Sequence, residues 1–270
     1  MQRASGENYT RVKQVTLRKN LHTICTSGNC PNIGECWNAG TATFMILGDI
    51  CTRACKFCAT TTGRPLPPDQ GEPLRLAESV RELGLIHCVI TSVDRDDLSD
   101  GGASFWAETI RTVKSVNKGI TVEVLIPDFD GKEELLQIVI DSDPDVISHN
   151  LETVRRLTPS IRTKAKYVRS LDVLRFISKS SIPAKSGIMV GLGETEEEVY
   201  ETISDIREAG CSILTIGQYL KPAQGYMEPV SYVEPEIFDK YRVFAFERGF
   251  AKVESAPLVR SSFHAERHVG

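Results

Sequence analysis

Three cysteines, Cys51, Cys55 and Cys58, stand at C-x3-C-x2-C spacing in Cys51-Thr52-Arg53-Ala54-Cys55-Lys56-Phe57-Cys58. Three soft thiolates on one short loop suit three irons of a four-iron, four-sulfur cluster and leave the fourth iron open to a substrate or cofactor. A structural zinc site usually takes four protein ligands, often from two paired C-x2-C arms, and no adjacent fourth ligand is present. The triad follows Phe44-Met45-Ile46-Leu47-Gly48, an apolar run ending in glycine. Such a run reads as a buried strand, which puts the cysteines on the loop at its carboxyl end.

A second group, Cys25, Cys30 and Cys36, has C-x4-C-x5-C spacing among Gly, Pro and Asn. That turn chemistry lets a loop wrap three thiolates around one centre. A second iron–sulfur cluster is the favoured reading. A disulfide plus a free thiol, or a zinc loop completed by His22 or a distant residue, stays open. Six of the eight cysteines fall between positions 25 and 58. Without a secretion signal, such crowding favours metal or redox chemistry over a disulfide framework. Cys88 and Cys211 stand alone beside apolar runs and read as small buried hydrophobes.

The elements that position these loops follow a repeating pattern. Strand-like runs at 43–48, 86–91, 121–126, 146–150, 187–191 and 211–216 alternate with helical spacing at 74–83, 103–116, 132–140, 168–179 and 195–209. Alternation of this kind implies parallel strands with right-handed crossovers. Six units are too few for an eight-fold barrel, and no dinucleotide fingerprint follows the first strand. The fold class is α/β: a partial (β/α)6 TIM-like barrel with N- and C-terminal extensions, against a flat doubly wound sheet. In both, ligands collect at the carboxyl ends of the strands. Residues 1–42 form an extension carrying the amino-terminal cysteines, with 1–24 expected as an extended arm. Residues 43–221 form the barrel. Residues 222–270 break the pattern, with one further helix expected at 235–249.

A net charge of −4 gives no global argument for nucleic acid or an anionic membrane. No run approaches a spanning helix, and the start lacks an apolar signal core, so a cytoplasmic protein is expected, or one of an organelle matrix if a targeting segment precedes it. Between 151 and 185 there are nine Lys or Arg against two acids. That local excess reads either as a solvated helix face or as a patch steering an acidic partner.

Cys51-x3-Cys55-x2-Cys58, with Phe57 before the last cysteine, resembles the signature of the radical S-adenosylmethionine superfamily. More narrowly, the chain resembles the lipoyl synthase family. The stretches that carry the resemblance are Leu21-His22-Thr23, Cys30 to Trp37, Gly40 to Gly48, Thr91 to Leu98, His149 to Thr153, Gly217 to Leu220 and Arg260-Ser261-Ser262-Phe263. The resemblance implies a sulfurtransferase with two [4Fe-4S] clusters and S-adenosylmethionine. Cys51, Cys55 and Cys58 would hold the cluster that cleaves S-adenosylmethionine to methionine and a 5′-deoxyadenosyl radical. Cys25, Cys30 and Cys36 would hold an auxiliary cluster consumed as the sulfur donor. Its fourth ligand would be a serine of the terminal motif, Ser261 or Ser262, with Ser262 preferred. The motif ends here in Phe263 where the family has Tyr, so no phenol is available.

By the same resemblance, sulfur enters C6 and C8 of an octanoyl-lysyl group on a carrier domain, either of a 2-oxoacid dehydrogenase E2 or of the glycine cleavage H protein. A ferredoxin or flavodoxin would supply electrons. For S-adenosylmethionine, Phe57 belongs to the signature; Thr91 and Ser92 are expected at its amino-acid moiety and Asn150 and Glu152 at its ribose. Arg162 or Arg169 is expected at its carboxylate, and Met189 with the Ile216–Gln218 edge at its adenine. Glu194 to Glu198 reads as acidic bias in a first helical turn. Rival readings are a biotin-synthase-like or methylthio-transferring radical enzyme and a non-catalytic electron-transfer protein. The first two place their second-cluster ligands elsewhere in the chain, and the third needs no strand-end pocket.

Overall fold

The computed structural model describes residues 6–39 and 41–268. Residues 1–5, read above for a signal core, Gly40 of the family stretch, and residues 269–270 lie outside the described residues. Among the described residues the strands are β1 (His22–Thr23), β2 (Thr43–Ile46), β3 (Ile50–Cys51), β4 (Thr61–Thr62), β5 (His87–Ser92), β6 (Thr121–Leu125), β7 (Val146–Ser148), β8 (Ala184–Val190), β9 (Ile213–Gln218) and β10 (Lys252–Ser255). The helices are α1 (Glu7–Arg18), α2 (Ile24–Ser27), α3 (Ile33–Asn38), α4 (Glu72–Leu83), α5 (Ala103–Val116), α6 (Glu133–Ile140), α7 (Thr158–Ile161), α8 (Tyr167–Ile177), α9 (Glu196–Glu208) and α10 (Pro235–Glu247).

Seven strands run parallel in the order β2-β5-β6-β7-β8-β9-β10, and β1 lies antiparallel on the β2 edge. Each parallel strand pairs with its neighbour in that order, so right-handed crossovers place the connecting helices on one face. A doubly wound sheet would reverse its order at a switch point; this one does not. It curls around its other face as an open barrel, since β1 and β10 remain unpaired edges among the described strands.

Three boundaries depart from the sequence reading. The amino-terminal arm is helical: α1 buries Val12, Val15 and Thr16, and Tyr9 packs on Trp37 at 5.1 Å. A three-residue stripe among scattered cations is too narrow to register as periodicity. The carboxyl-terminal stretch contributes both the expected helix, α10, and a seventh parallel strand, β10, whose Lys-Val-Glu-Ser composition hides it. β8 starts at Ala184, because Lys185 and Ser186, which interrupt the apolar run, are fully buried. The expected acidic turn is borne out: Thr195 and Glu198 form a capping box at the start of α9. No described helix is long and apolar enough to cross a membrane.

The turn that launches the cysteine loop is pinned from α4. Leu47 sits at φ 68, and its N–H donates to Glu72 Oε2 at 2.8 Å. Burial pushes the Glu72 carboxyl up to about 7. Its folded-state value therefore exceeds its unfolded one, so the stabilising contribution is complete below the unfolded value of about 4.3 and is lost as pH rises through about 7. Glu72→Gln keeps the acceptor without the charge. It should gain about 2 kcal/mol over wild type at pH 8 and flatten the pH 5–7.5 stability profile, read by urea unfolding at each pH. Parallel profiles for the two proteins would refute this.

Candidate metal centre and binding cavity

The loop bearing Cys51, Cys55 and Cys58 leaves the carboxyl end of β2 and is closed at its base by the parallel β3–β4 pair. It is tied to the loops after the neighbouring strands. Thr52 N donates to Asp94 O at 3.0 Å, Lys56 N to Ile161 O at 3.0 Å, and Ala54 N to Thr163 Oγ1 at 3.2 Å. Buried Arg53 is the central clamp. Its Nε and Nη2 grip both Asp96 carboxylate oxygens at 2.9 and 2.8 Å, Nη2 also reaches Asp128 at 2.7 Å, and Asp94 lies 3.3 Å from Nη1.

The three thiols face a cavity of about 330 Å³ inside the barrel mouth. Cys25, Cys30 and Ser262 reach the same cavity from the chain's two ends. An adjoining recess is lined by Cys25, Cys30, Cys36, Thr43 and Ser262. All eight cysteines are free. Among the described residues no three His, Cys, Asp or Glu side chains close on a single-ion site; the thiols instead border open volume, which suits a bulky cluster better than one tetrahedral ion. Burial pushes Cys36 up to about 12 and Cys51 up to about 11. Such thiols are poor free nucleophiles, and iron coordination is what would deprotonate them. Arg53 N and Asp94 N donate to Cys51 Sγ at 3.4 and 3.3 Å, the kind of N–H···S contact that tunes a cluster.

The opposite wall supplies unsatisfied polar groups. Ser92 Oγ, Asn150 Oδ1 and Arg162 Nε line the cavity, are buried and lack hydrogen-bond partners within the protein. Buried polar atoms without partners are costly unless a ligand completes them. Arg162 is oriented by Nη1 contacts to Leu151 O (3.2 Å) and Ser170 Oγ (3.0 Å). Glu152 holds φ 69, a strained conformation for a residue with a side chain; burial pushes its carboxyl up, against the pull of Arg162. Thr91 donates to Leu125 O at 3.1 Å. Phe57 and Met189 share an apolar cluster with Ile161, Leu192 and Tyr219. Glycine opens the lumen: a methyl on Gly187 would lie 2.5 Å from Thr215 Oγ1 and 3.0 Å from Asn150 Oδ1.

Phe57, Thr91, Ser92, Asn150, Glu152, Arg162 and Met189 therefore all line the cavity. Arg169 does not. Its guanidinium pairs with Asp130 at 2.5 Å and lies 3.7 Å from Asp128, so of the two arginines expected at the carboxylate it is Arg162 that lines the cavity. Much of the positive excess between 151 and 185 meets acids on folding. Arg155 meets Asp205, Arg156 meets Glu198, Lys164 meets Asp96, Arg175 meets Asp172, and Lys185 is buried against Glu123. Asp172 lies within the window and the other acids outside it, while Lys166 and Lys179 stay exposed, so the excess is reduced and not removed. Sequence reasoning missed Arg53, Asp128, Glu123 and Lys185. A charged residue at an inward strand position, as in Thr121-Val122-Glu123-Val124-Leu125, was the available signal for Glu123.

Comparison with known proteins follows the same lines. Residues 45–206 match the Radical SAM superfamily. Lipoyl synthase of Parabacteroides distasonis is 59% identical over 264 residues, covering 98% of this chain and 94% of that protein. Lipoyl synthase of Porphyromonas gingivalis is 57% identical over 265 residues, covering 98% and 94%. Among solved structures, Streptococcus suis SuiB bound to S-adenosylmethionine superposes with a TM-score of 0.62 at 10% identity, over 94% of this chain and 58% of that one; at that identity the likeness concerns the fold alone.

Proposed function

The chain belongs to the lipoyl synthase family of the Radical SAM superfamily, and we propose how its own residues carry out that family's reaction. The enzyme is a sulfurtransferase that inserts two sulfur atoms at C6 and C8 of an octanoyl group on a carrier protein, using S-adenosylmethionine and two [4Fe-4S] clusters. When bound, one cluster supplies the electron that cleaves S-adenosylmethionine to methionine and a 5′-deoxyadenosyl radical, and the other supplies sulfur.

The observation that carries the assignment of residues is the convergence of Cys25, Cys30, Cys51, Cys55, Cys58 and Ser262 on one cavity, with Cys36 on the adjoining recess. Cys51, Cys55 and Cys58 hold the S-adenosylmethionine-binding cluster; Cys25, Cys30, Cys36 and Ser262 hold the auxiliary one. Ser262 rather than Ser261 is the ligand in this reading, because Ser262 borders the recess with Cys36 and Ser261 does not. A serine oxygen is a harder, weaker iron ligand than a thiolate and would be the more readily released of the four. Arg162 offers a charge-assisted contact to the S-adenosylmethionine carboxylate. Ser92, Thr91, Asn150 and Glu152 meet its polar groups, and Phe57 and Met189 pack its apolar surface. The carrier is a lipoyl domain of a 2-oxoacid dehydrogenase or the glycine cleavage H protein, with ferredoxin or flavodoxin as reductant.

Anaerobically reconstituted protein with dithionite, S-adenosylmethionine and an octanoyl-lysyl peptide should give a two-sulfur mass gain alongside 5′-deoxyadenosine. Replacing Cys25, Cys30 and Cys36 with Ala should lower iron from about eight to about four per chain and abolish the mass gain while sparing S-adenosylmethionine cleavage, since each triad supports one four-iron cluster. Iron that stays near about eight in that variant would remove the amino-terminal triad from the assignment.

A further inference from the structure

Ser261 and Ser262 are consecutive, yet their hydroxyls serve opposite walls. Asn150 Nδ2 donates to Ser261 Oγ at 2.6 Å, whereas Thr43 Oγ1 donates to Ser262 Oγ at 2.7 Å. Thr43 in turn hydrogen-bonds the Cys25 thiol region. The Asn150 amide is only 7% exposed, and its Oδ1 has no partner. It packs against Gly187, where even a methyl would come within 3.0 Å of Oδ1, so the amide has little room to turn. The segment before the serines is fixed: Gln218 N donates to Pro257 O at 3.1 Å, and Ala256 N to Ile216 O at 3.2 Å.

We propose that Ser261 is a positioning residue that couples the S-adenosylmethionine site to the auxiliary-cluster site. With one amide hydrogen on Ser261 and the other side-chain contact to Glu152, the unpartnered Oδ1 is the group left for a hydroxyl or ammonium of the bound sulfonium cosubstrate. A ligand that seats against Oδ1 thereby tightens the Asn150–Ser261 bond and the placement of the next residue, Ser262. Coupling between two sites is reciprocal, so an ordered Ser262 also favours the ligand-ready amide. The inference rests on the assignment of Ser262 to the auxiliary cluster made above.

The test uses cluster-loaded protein and two substitutions of matched shape. Ser261→Thr keeps the hydroxyl and should bind S-adenosylmethionine within about threefold of wild type; Ser261→Val lacks it and should bind about tenfold more weakly, the scale of one buried hydrogen bond. Both should retain about eight irons per chain. Adding Asn150→Ala to Ser261→Val should weaken binding no further than Asn150→Ala alone, because Ser261 acts through that amide. Equal affinities for the Thr and Val variants, or losses that multiply in the double variant, would overturn the proposal. So would a fall to about four irons in Ser261→Val, which would make Ser261 itself the ligand. Ser262→Ala separately tests the underlying assignment: it should weaken auxiliary-cluster retention, and full iron retention there would sink the ligand reading, while the Asn150–Ser261 cycle is still decided by its own affinities.

Discussion

Lys185→Ala should cost about 3–5 kcal/mol of folding stability, a large share of the roughly 5–15 kcal/mol available to a domain. Lys185 Nζ lies 2.6 Å from Glu123 Oε1 in the barrel floor, with the two side chains 0% and 1% exposed. Ser148 Oγ donates to the same carboxylate oxygen at 3.2 Å, and His268 Nδ1 lies 3.1 Å from Nζ. Burial, reinforced by the Lys185 charge, pushes His268 down to about 3, so its neutral ring accepts from the ammonium. Removing the lysine leaves a desolvated carboxylate without its cation, and that uncompensated charge sets the cost. Replacing both partners, Lys185→Met with Glu123→Leu, should recover most of the loss, because apolar packing can substitute for a buried pair. Urea midpoints at fixed pH measure both effects. A single variant within about 1 kcal/mol of wild type would refute that cost.

Arg53→Ala should have the second largest effect. One guanidinium answers Asp96 and fully buried Asp128, with Asp94 close by. Its loss leaves like charges facing one another beneath the cysteine loop, at a cost of about 3 kcal/mol near neutral pH. The cost should depend on acidity. Burial works against ionisation of Asp128 and Asp96, but hydrogen bonds from Arg53, joined at Asp96 by Lys164, outweigh it and hold both below the usual carboxylate range. A carboxylate depressed on folding contributes stability above its unfolded value of about 3.9, and that contribution is lost as pH falls through the lower folded value. Wild type should therefore lose more stability than the variant on going from pH 7 to pH 3, and the two curves should converge in acid. A difference of constant size across that range would assign the clamp to packing alone.

Much of this was legible from residue types and spacing. The two cysteine groups, the six strand-and-helix units and the acidic first turn of α9 are local signals: turn residues, apolar alternation and a run of glutamates act within a few positions. What was illegible depends on pairing across the fold. Arg169 and Arg162 are equally cationic in sequence, yet only the strands decide that one meets Asp130 and the other lines the cavity. The basic window between 151 and 185 looked more unbalanced than it is because Asp96, Glu123, Glu198 and Asp205, which answer part of it, lie elsewhere in the chain. α1 and β10 escaped notice because each buries too few apolar side chains to outweigh its polar composition.

The floor that holds His268 also bears on how the enzyme could be reloaded. The segment carrying Ser262 is fastened upstream by backbone bonds to β9 and downstream by His268 on Lys185. Residues 260–267 lie between those two anchors. Ser262 between them is kept beside Cys25, Cys30 and Cys36 by both anchors, at an effective concentration on the order of millimolar or above. On the ligand assignment proposed above, that oxygen would be in place for a cluster without refolding of the chain.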